Sequence, residues 1–311
     1  MNYIQTVQIN PDTNETTPSP TQTLAKSGIN TATLTVQNPN SLAPYTLNTD
    51  YTLDLVAGTS GTSSAQYAIK RVIGGHINPG DYIQVSYQYT DATYYAPRNF
   101  YTYTDMVKAY GEPFNTVTGT ISSGISLMGQ FAFENGAYLV VACAVESTNG
   151  PGNASVGDYT NTLAQLTDNP LVAVVVTDSG AQPLHQFVQQ HVDQQSSNRH
   201  ERRAIVGLDG TSVPVPSSQR IIDAQAITDQ RVMLVSPATF KHFSPELSTT
   251  VTLGGQYIAA CLAGITVRQG FEMPLTRKRL TGWTDIGEVE PEGQKNLESE
   301  NGLCVVEKTA T

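Results

Sequence analysis

Residues 251–264 read VTLGGQYIAACLAG. A short run of strand character meets two glycines and passes into small and apolar residues with helical spacing. Phosphate loops and serine nucleophile turns are built on such a handover from strand to helix. Their chemistry is missing from this one. A Walker loop closes with Lys and Ser or Thr, a dinucleotide fingerprint needs three spaced glycines, and a nucleophile turn needs Ser or Cys. The corner offers Gly254, Gly255, Gln256 and Tyr257. The reading is therefore structural: Gly254 and Gly255 supply a positive φ and a close approach of helix to strand. Ala259, Ala260, Ala263 and Gly264 then let the helix pack closely.

The handover closes a series. Apolar runs of strand length occur at 138–145 (YLVVACAV), 170–178 (PLVAVVVTD), 202–210 (RRAIVGLDG) and 231–240 (RVMLVSPATF). Helical patterns separate them. Thr104 caps a short helix over 105–110, stopped by Gly111 and Pro113. Ile125, Met128, Phe131 and Ala132 mark a helix that ends at Asn135 and Gly136. Residues 158–169 and 217–228 are also helical. Leu184, Phe187, Val188 and Val192 line one side of a helix that has Pro183 in its first turn. Strands and helices in alternation predict an α/β fold, a parallel or mostly parallel sheet with helices on both faces. The run LCVVE near the end either pairs as a last strand of that sheet or precedes a further domain that is cut off.

Upstream the period changes to two. Ala32, Leu34 and Val36 alternate on one face, a turn falls at residues 48–50, and SAQYAIKRVI and DYIQVSYQYT are separated by GGHINPGD. Thr, Tyr and Val enrichment between Gly, Asn and Pro breaks predicts a small antiparallel β domain, a sandwich or barrel. Residues 10–23, NPDTNETTPSPTQT, carry almost no bulky apolar side chain and read as a linker. The expected organisation is a linker or arm over 1–28, a small β domain over 29–92 and an α/β domain over 93–311.

Composition excludes several functions. The 311 residues carry 17 Lys and Arg against 27 Asp and Glu, a formal charge of −10, and phosphate binding needs clustered positive charge. Nucleic acid is thus not an expected partner. No apolar run reaches the roughly 18 residues of a membrane span, so neither is a membrane. Cys143, Cys261 and Cys304 sit in apolar runs, match no metal spacing, and read as buried thiols. His185 and His191, six apart, fall on different faces of their helix. His76, His200 and His242 complete the set without a ligand pattern, so no metal or cofactor is expected.

Asp178 ends the run at 170–178, where α/β enzymes place catalytic carboxylates. A triad would also need a positioned His and a Ser in reach. The favoured reading is that Asp178 and Ser179 form a turn and cap the helix beginning near Pro183. Near the end, Arg268, Arg277, Lys278 and Arg279 are followed by Asp285, Glu288, Glu290 and Glu292. Opposite charges on one projecting segment suit contact with a neighbouring copy of the chain. The acidic stretch over 288–300 is expected to stay disordered until it is packed.

Several separated motifs share a resemblance, in order. PRNFYTYTDMVKAYG, FAFENGAYLVVACAV, RRAIVGLDG, RVMLVSPATF, LGGQYIAACLAGI and PLTRKRLTGW resemble the tail sheath proteins of contractile phages, over roughly residues 92–311. YTLNTDYTLDLV resembles, less closely, the β insertion that precedes this domain in that family. The resemblance implies a subtilisin-like sheath domain without the protease chemistry. Asp178 and the pair Gly254 and Gly255 resemble the places of the protease's Asp and Ser, and no serine stands at the second. It implies a structural subunit, not an enzyme, that stacks as six-membered rings around a tail tube. On triggering, the lattice contracts and drives the tube through the host envelope for genome delivery. The implied partners are other copies of the chain in a six-fold helical sheath, the tail tube protein, and baseplate and tail terminator proteins. The implied place is the virion tail, with assembly in the host cytoplasm. Family members usually continue past GLCVVEKTAT into a C-terminal domain that touches the tube, so the expectation is a chain lacking that domain. A subtilisin-like or other α/β hydrolase using Asp178, and a host-binding adhesin module in the β domain, are the competing expectations.

Overall fold

A computed structural model describes residues 2–9, 22–56, 66–89, 92–149 and 154–308. The chain divides into two compact units, residues 1–95 and 96–311. The first holds β1 (Asn2–Gln8), β2 (Gln22–Ser27), β3 (Ile29–Gln37), β4 (Tyr51–Leu55), β5 (Gln66–Arg71), β6 (Tyr82–Tyr89) and the single turn α1 (Ala92–Tyr95). The strands form two three-stranded antiparallel sheets, in the orders β1-β6-β3 and β2-β5-β4. Both contribute to one apolar core. Val36, Ile83, Val85 and Tyr87 come from the first sheet; Leu24, Tyr51 and Ile69 come from the second.

Two expectations need correcting here. Residues 2–8 are not loose: they pair in register with β6 from Asn2↔Gln88 to Gln8↔Tyr82. Backbone ladder bonds and the packing of Val7 hold this strand, and its otherwise polar sequence concealed it. Most of the expected linker at 10–23 lies outside the described residues. In β3 the register shifts between Asn30 and Thr35, and Ala32 is exposed while Val36 is buried. A bulge of this kind breaks the period-two alternation.

The second unit continues with β7 (Arg98–Phe100), α2 (Tyr103–Tyr110), α3 (Gly124–Glu134), β8 (Val140–Ala142), α4 (Val156–Ala164), β9 (Val174–Val175), α5 (Gln182–Ser197), β10 (Arg203–Gly207), α6 (Ser217–Gln225) and β11 (Val232–Ser236). Then come β12 (Thr239–Ser244), β13 (Thr249–Gly254), α7 (Gly255–Gln269), β14 (Asp285–Ile286), α8 (Glu292–Glu300) and β15 (Leu303–Val305). Its centre is a four-stranded parallel sheet in the order β15-β11-β10-β9. The run near the end of the sequence is thus a strand of this sheet. A separate antiparallel sheet runs β13-β12-β14.

Alternation along the parallel strands decides which helix covers which face. Ala204, Val206, Val232, Leu234 and Leu303 face a core built with Leu163 of α4, Leu184, Val188 and Val192 of α5, and Ala224 of α6. Ile205 and Val235 face Ile258, Ala259, Leu262 and Ala263 of α7. Crossovers that advance in one direction leave their helices on one side of a sheet. The other side is therefore filled by a helix of different origin, α7, which enters from the β12–β13 hairpin.

Helix α7 is buried on a second side as well. Tyr257, Ala260 and Cys261 pack with Leu127, Met128 and Phe131 of α3. A Cβ on Gly264 would run into the Ala132 carbonyl. The small residues of the opening stretch thus let two helices close to backbone contact.

Local signals differ from expectation at three places. The cap of α2 is Thr102, which accepts from the Asp105 amide at 3.2 Å, not Thr104. The run at 138–145 yields only β8, which pairs antiparallel with β7 and stays outside the parallel sheet. Phe187 is 39% exposed although Leu184, Val188 and Val192 are fully buried. The i, i+4 positions carry the contact of α5, and Phe187 lies off that line.

Candidate functional site

The glycine corner sits where β13 hands over to α7, beside the loops that follow β10 and β11. Gly254 has φ −76°, and neither corner glycine adopts a left-handed conformation. The expectation of a positive φ is therefore wrong; the expectation of close approach is supported by the contacts. The Gly255 amide donates to the Leu208 carbonyl at 2.8 Å and the Ala238 carbonyl at 3.0 Å. A Cβ on Gly255 would lie 3.0 Å from the Leu208 oxygen. A Cβ on Gly207, at the end of β10, would collide with the Gly255 carbonyl and come within 2.5 Å of the Gln256 nitrogen. Three backbones meet here with no room for side chains.

Asp178 lies beyond the end of β9. Its Oδ1 accepts the Tyr159 hydroxyl at 2.7 Å. Gly124, the first residue of α3, sits so close that a Cβ on it would be 2.7 Å from Asp178 Oδ2 and 3.3 Å from the Tyr257 hydroxyl. Burial pushes the Asp178 carboxyl above its ordinary range, with the Tyr159 bond opposing. Burial and the Asp178 charge push the Tyr159 and Tyr257 hydroxyls up. The capping role is not observed: α5 begins after Ala181 and has no side-chain cap. Ser179 instead accepts from the Ala181 amide at 3.3 Å, and Asp178 ties α4 to the sheet through Tyr159.

Asp178 has a phenol as its partner, and the corner presents glycines where a nucleophile would stand. The thiols are also held protonated: burial raises Cys143 to about 11 and pushes Cys304 and the enclosed Cys261 up. Among the described residues no three His, Cys, Asp or Glu side chains form a metal-binding group. His185 and His191 are both buried.

These histidines carry a pH prediction. The His185 ring lies against the Gly207 backbone and neither nitrogen makes a well-formed hydrogen bond. His191 Nε2 stands 2.8 Å from Arg202 Nη1. Burial holds both at about 4, from an ordinary 6.5; for His191 the Arg202 charge adds to this. Between pH 6.5 and about 4 these two histidines bind more protons in the unfolded chain than in the folded one. Their stabilisation is complete above pH 6.5 and is lost as the pH falls towards 4, by up to ~1.4 kcal/mol per pH unit for each histidine. The raised Asp178 carboxyl has the opposite sign and reduces the slope. Urea unfolding at pH 7.5, 6 and 5 should show a falling midpoint, and His191→Gln should flatten the fall; a midpoint independent of pH would contradict it.

The charged end separates into two halves. Arg220 of α6 is fully buried. Its Nη1 contacts Glu288 Oε2 at 2.7 Å and donates to the Val215 carbonyl at 2.6 Å. Its Nη2 pairs with Glu290 and, at 2.9 Å, with Glu298 Oε1. Glu298 is itself fully buried and accepts the Ser236 hydroxyl at 2.5 Å. Glu288 and Glu290, expected to face a neighbouring copy, thus hold an arginine of their own chain. Asp285 pairs with Lys308 at 3.3 Å and Glu292 with Lys295 at 3.4 Å. The acidic stretch is not disordered, because α8 forms within it. Sequence reading missed Arg220 altogether: its partners lie 68 and 78 residues away.

The basic half is arranged differently. Arg268, Arg277, Lys278 and Arg279 are exposed. Among the described residues none of them reaches a carboxylate. Phe271 lies on the same stretch, with the Arg203 guanidinium 5.1 Å from its ring centre.

No family model matches the chain. It is 46% identical over 297 residues to the tail sheath protein of Mycobacterium phage Bxz1, an alignment that covers 94% of this chain and 51% of that protein. The chain therefore spans about half the length of the curated relative it matches. Among solved structures, the contracted helical sheath of the anti-feeding prophage superimposes with a TM-score of 0.47 at 11% identity, over 69% of this chain and 54% of that one. The sheath tail protein from Desulfitobacterium hafniense gives 0.39 at 10% identity, over 90% and 53%. Both structural likenesses are loose, and the sequence identity is what decides. At 46% identity along nearly its whole length, the chain is a homologue of a phage tail sheath protein, aligned with about half of it.

Proposed function

We propose that this chain forms the body of a structural subunit of a contractile phage tail sheath. Copies polymerise in six-fold rings around a tail tube, between baseplate and tail terminator. Contraction of the lattice drives the tube through the host envelope for genome delivery. The subunit is made and assembled in the host cytoplasm and ends in the virion tail. The observation that carries this reading is the 46% identity along 94% of the chain.

The architecture we propose is subtilisin-like, preceded by a β sandwich. In support, an acid follows a strand of the parallel sheet, and a small-residue helix starts at a glycine corner. Two three-stranded sheets share one core in the first unit. The subunit acts mechanically, not as an enzyme, and the absence of a nucleophile at the corner supports this.

The complete gene product, concentrated alone, should form tubes or stacked rings in negative-stain microscopy. Particles that stay single across all salt concentrations would overturn the reading. We also assign one contact between copies to Arg268, Arg277, Lys278 and Arg279. These cations are exposed on an acidic chain and reach no carboxylate among the described residues, which suits an acidic surface on a neighbour. Arg277→Glu, Lys278→Glu and Arg279→Glu together should shorten the polymers and leave the monomer's melting temperature unchanged. Polymers of normal length from that variant would remove the contact.

A further inference from the structure

Residues 285–308 run through β14, α8 and β15 along the β11 rim of the parallel sheet. The strands of this segment are fastened by ladders: Phe240↔Ile286 and Lys241↔Asp285 on one side, Leu234↔Leu303 to Ser236↔Val305 on the other. The helix between them is fastened differently. It has one buried residue, and that residue is the carboxylate Glu298. Leu297 is 46% exposed, and no residue of α8 joins an apolar cluster. A helix of nine residues without an apolar face has little stability of its own. Polar contacts fix it: Gln294 Nε2 donates to Ser217 Oγ at 2.5 Å, the Ser236 hydroxyl donates to Glu298, and at the centre Arg220 is held at once by Glu288 and Glu290 before the helix and Glu298 within it.

We propose that residues 285–308 are a strap that opens and closes as one unit, with the Arg220 guanidinium as its latch. The cluster sets three carboxylates against one cation, and opening lets water reach all of them. Opening the strap exposes Leu303 and the partly buried Ile286, Cys304, Val305 and Val306, fewer core side chains than opening β10, which packs on both faces of the sheet, or α7, which fills one face whole. The strap is therefore the part of this unit that opens without global unfolding. Opening also uncovers the β11 edge at residues 234–236, which β15 covers when closed. The device belongs to this chain's own fold and does not depend on the sheath reading.

Hydrogen exchange followed by mass spectrometry tests it on the full chain. Glu298→Gln should speed exchange across residues 292–305 by tenfold or more, while amides of β10 and α7 change less than twofold. Glu288→Gln, at a carboxylate that keeps 29% exposure, should act on the same residues by a smaller factor. It decides alone if Glu298→Gln does not fold. Equal acceleration in strap, β10 and α7 would mean that the cluster only adds to global stability. No acceleration in the strap would mean that Arg220 is not the latch. Either result overturns the proposal.

Discussion

Gly207→Ala lowers the melting temperature of the α/β unit by roughly 6–12 °C, on ~3 kcal/mol of lost stability and ~2–4 °C per kcal/mol for a unit of this size. The cause is steric and has no easy relief. The added methyl group would overlap the Gly255 carbonyl and approach the Gln256 nitrogen. Both are backbone atoms at the start of a helix that is buried against the sheet and against α3. Relieving the overlap means moving α7 as a body. Gly254→Ala should cost less, because its Cβ would meet only side-chain atoms, those of Gln256 and Asp209 Oδ1 at 2.8 Å, and no backbone. Gly293→Ala, where a Cβ meets nothing within 4 Å, should be neutral or stabilising by up to ~1 kcal/mol, since it lies within α8. Calorimetry of the three variants checks the order. If Gly207→Ala melted with Gly293→Ala, the close approach at the corner would not constrain the fold.

The second large effect belongs to Arg202, only 1% exposed. Its Nη2 donates to the carbonyls of Leu166, Thr167 and Asn169 at 2.7, 3.0 and 2.9 Å, and its Nη1 faces His191. These carbonyls belong to the turn between α4 and β9, which has no ladder to hold it. Arg202→Met keeps most of the volume and removes every donor. A hydrogen bond to a charged group is worth ~1.5–3 kcal/mol, and water entering the site recovers part of the loss. The expected net cost is ~3–4 kcal/mol, read from urea unfolding. A second readout separates the charge from the packing. Without the neighbouring cation, the His191 titration seen by NMR should move upward from about 4. An unmoved histidine would show that desolvation, the larger cause, acts alone.

The contrast between these two sites shows what the sequence makes legible. The glycine corner is visible because its residues are adjacent, and the same holds for α7, whose small residues lie on consecutive turns. The i, i+4 line Leu184, Val188, Val192 is equally local. The sheet was readable as a rhythm, though not strand by strand. YLVVACAV and PLVAVVVTD look alike, yet the first pairs with β7 outside the parallel sheet. An apolar run does not say which strand it pairs with, and of these two runs only Ala142, Ala144 and Val175 are buried.

The charged residues misled for a physical reason. Charge patterning along a chain describes neighbours in sequence, while Arg220 draws its carboxylates across more than 60 residues. Nothing near residue 220 announces a buried guanidinium. Asp178 failed in the reverse way: its local signal was a cap, and Tyr159, 19 residues upstream, claimed it first.

The parallel sheet ends in two very short strands, β9 with two residues and β15 with three. A strand at a rim presents unpaired amides and carbonyls to any passing chain, and the invitation grows with its length. Rims this short offer a stranger only two or three rungs, too few to hold a misplaced strand. While β15 stays in place, the central sheet is therefore expected to resist templating fibres at high concentration.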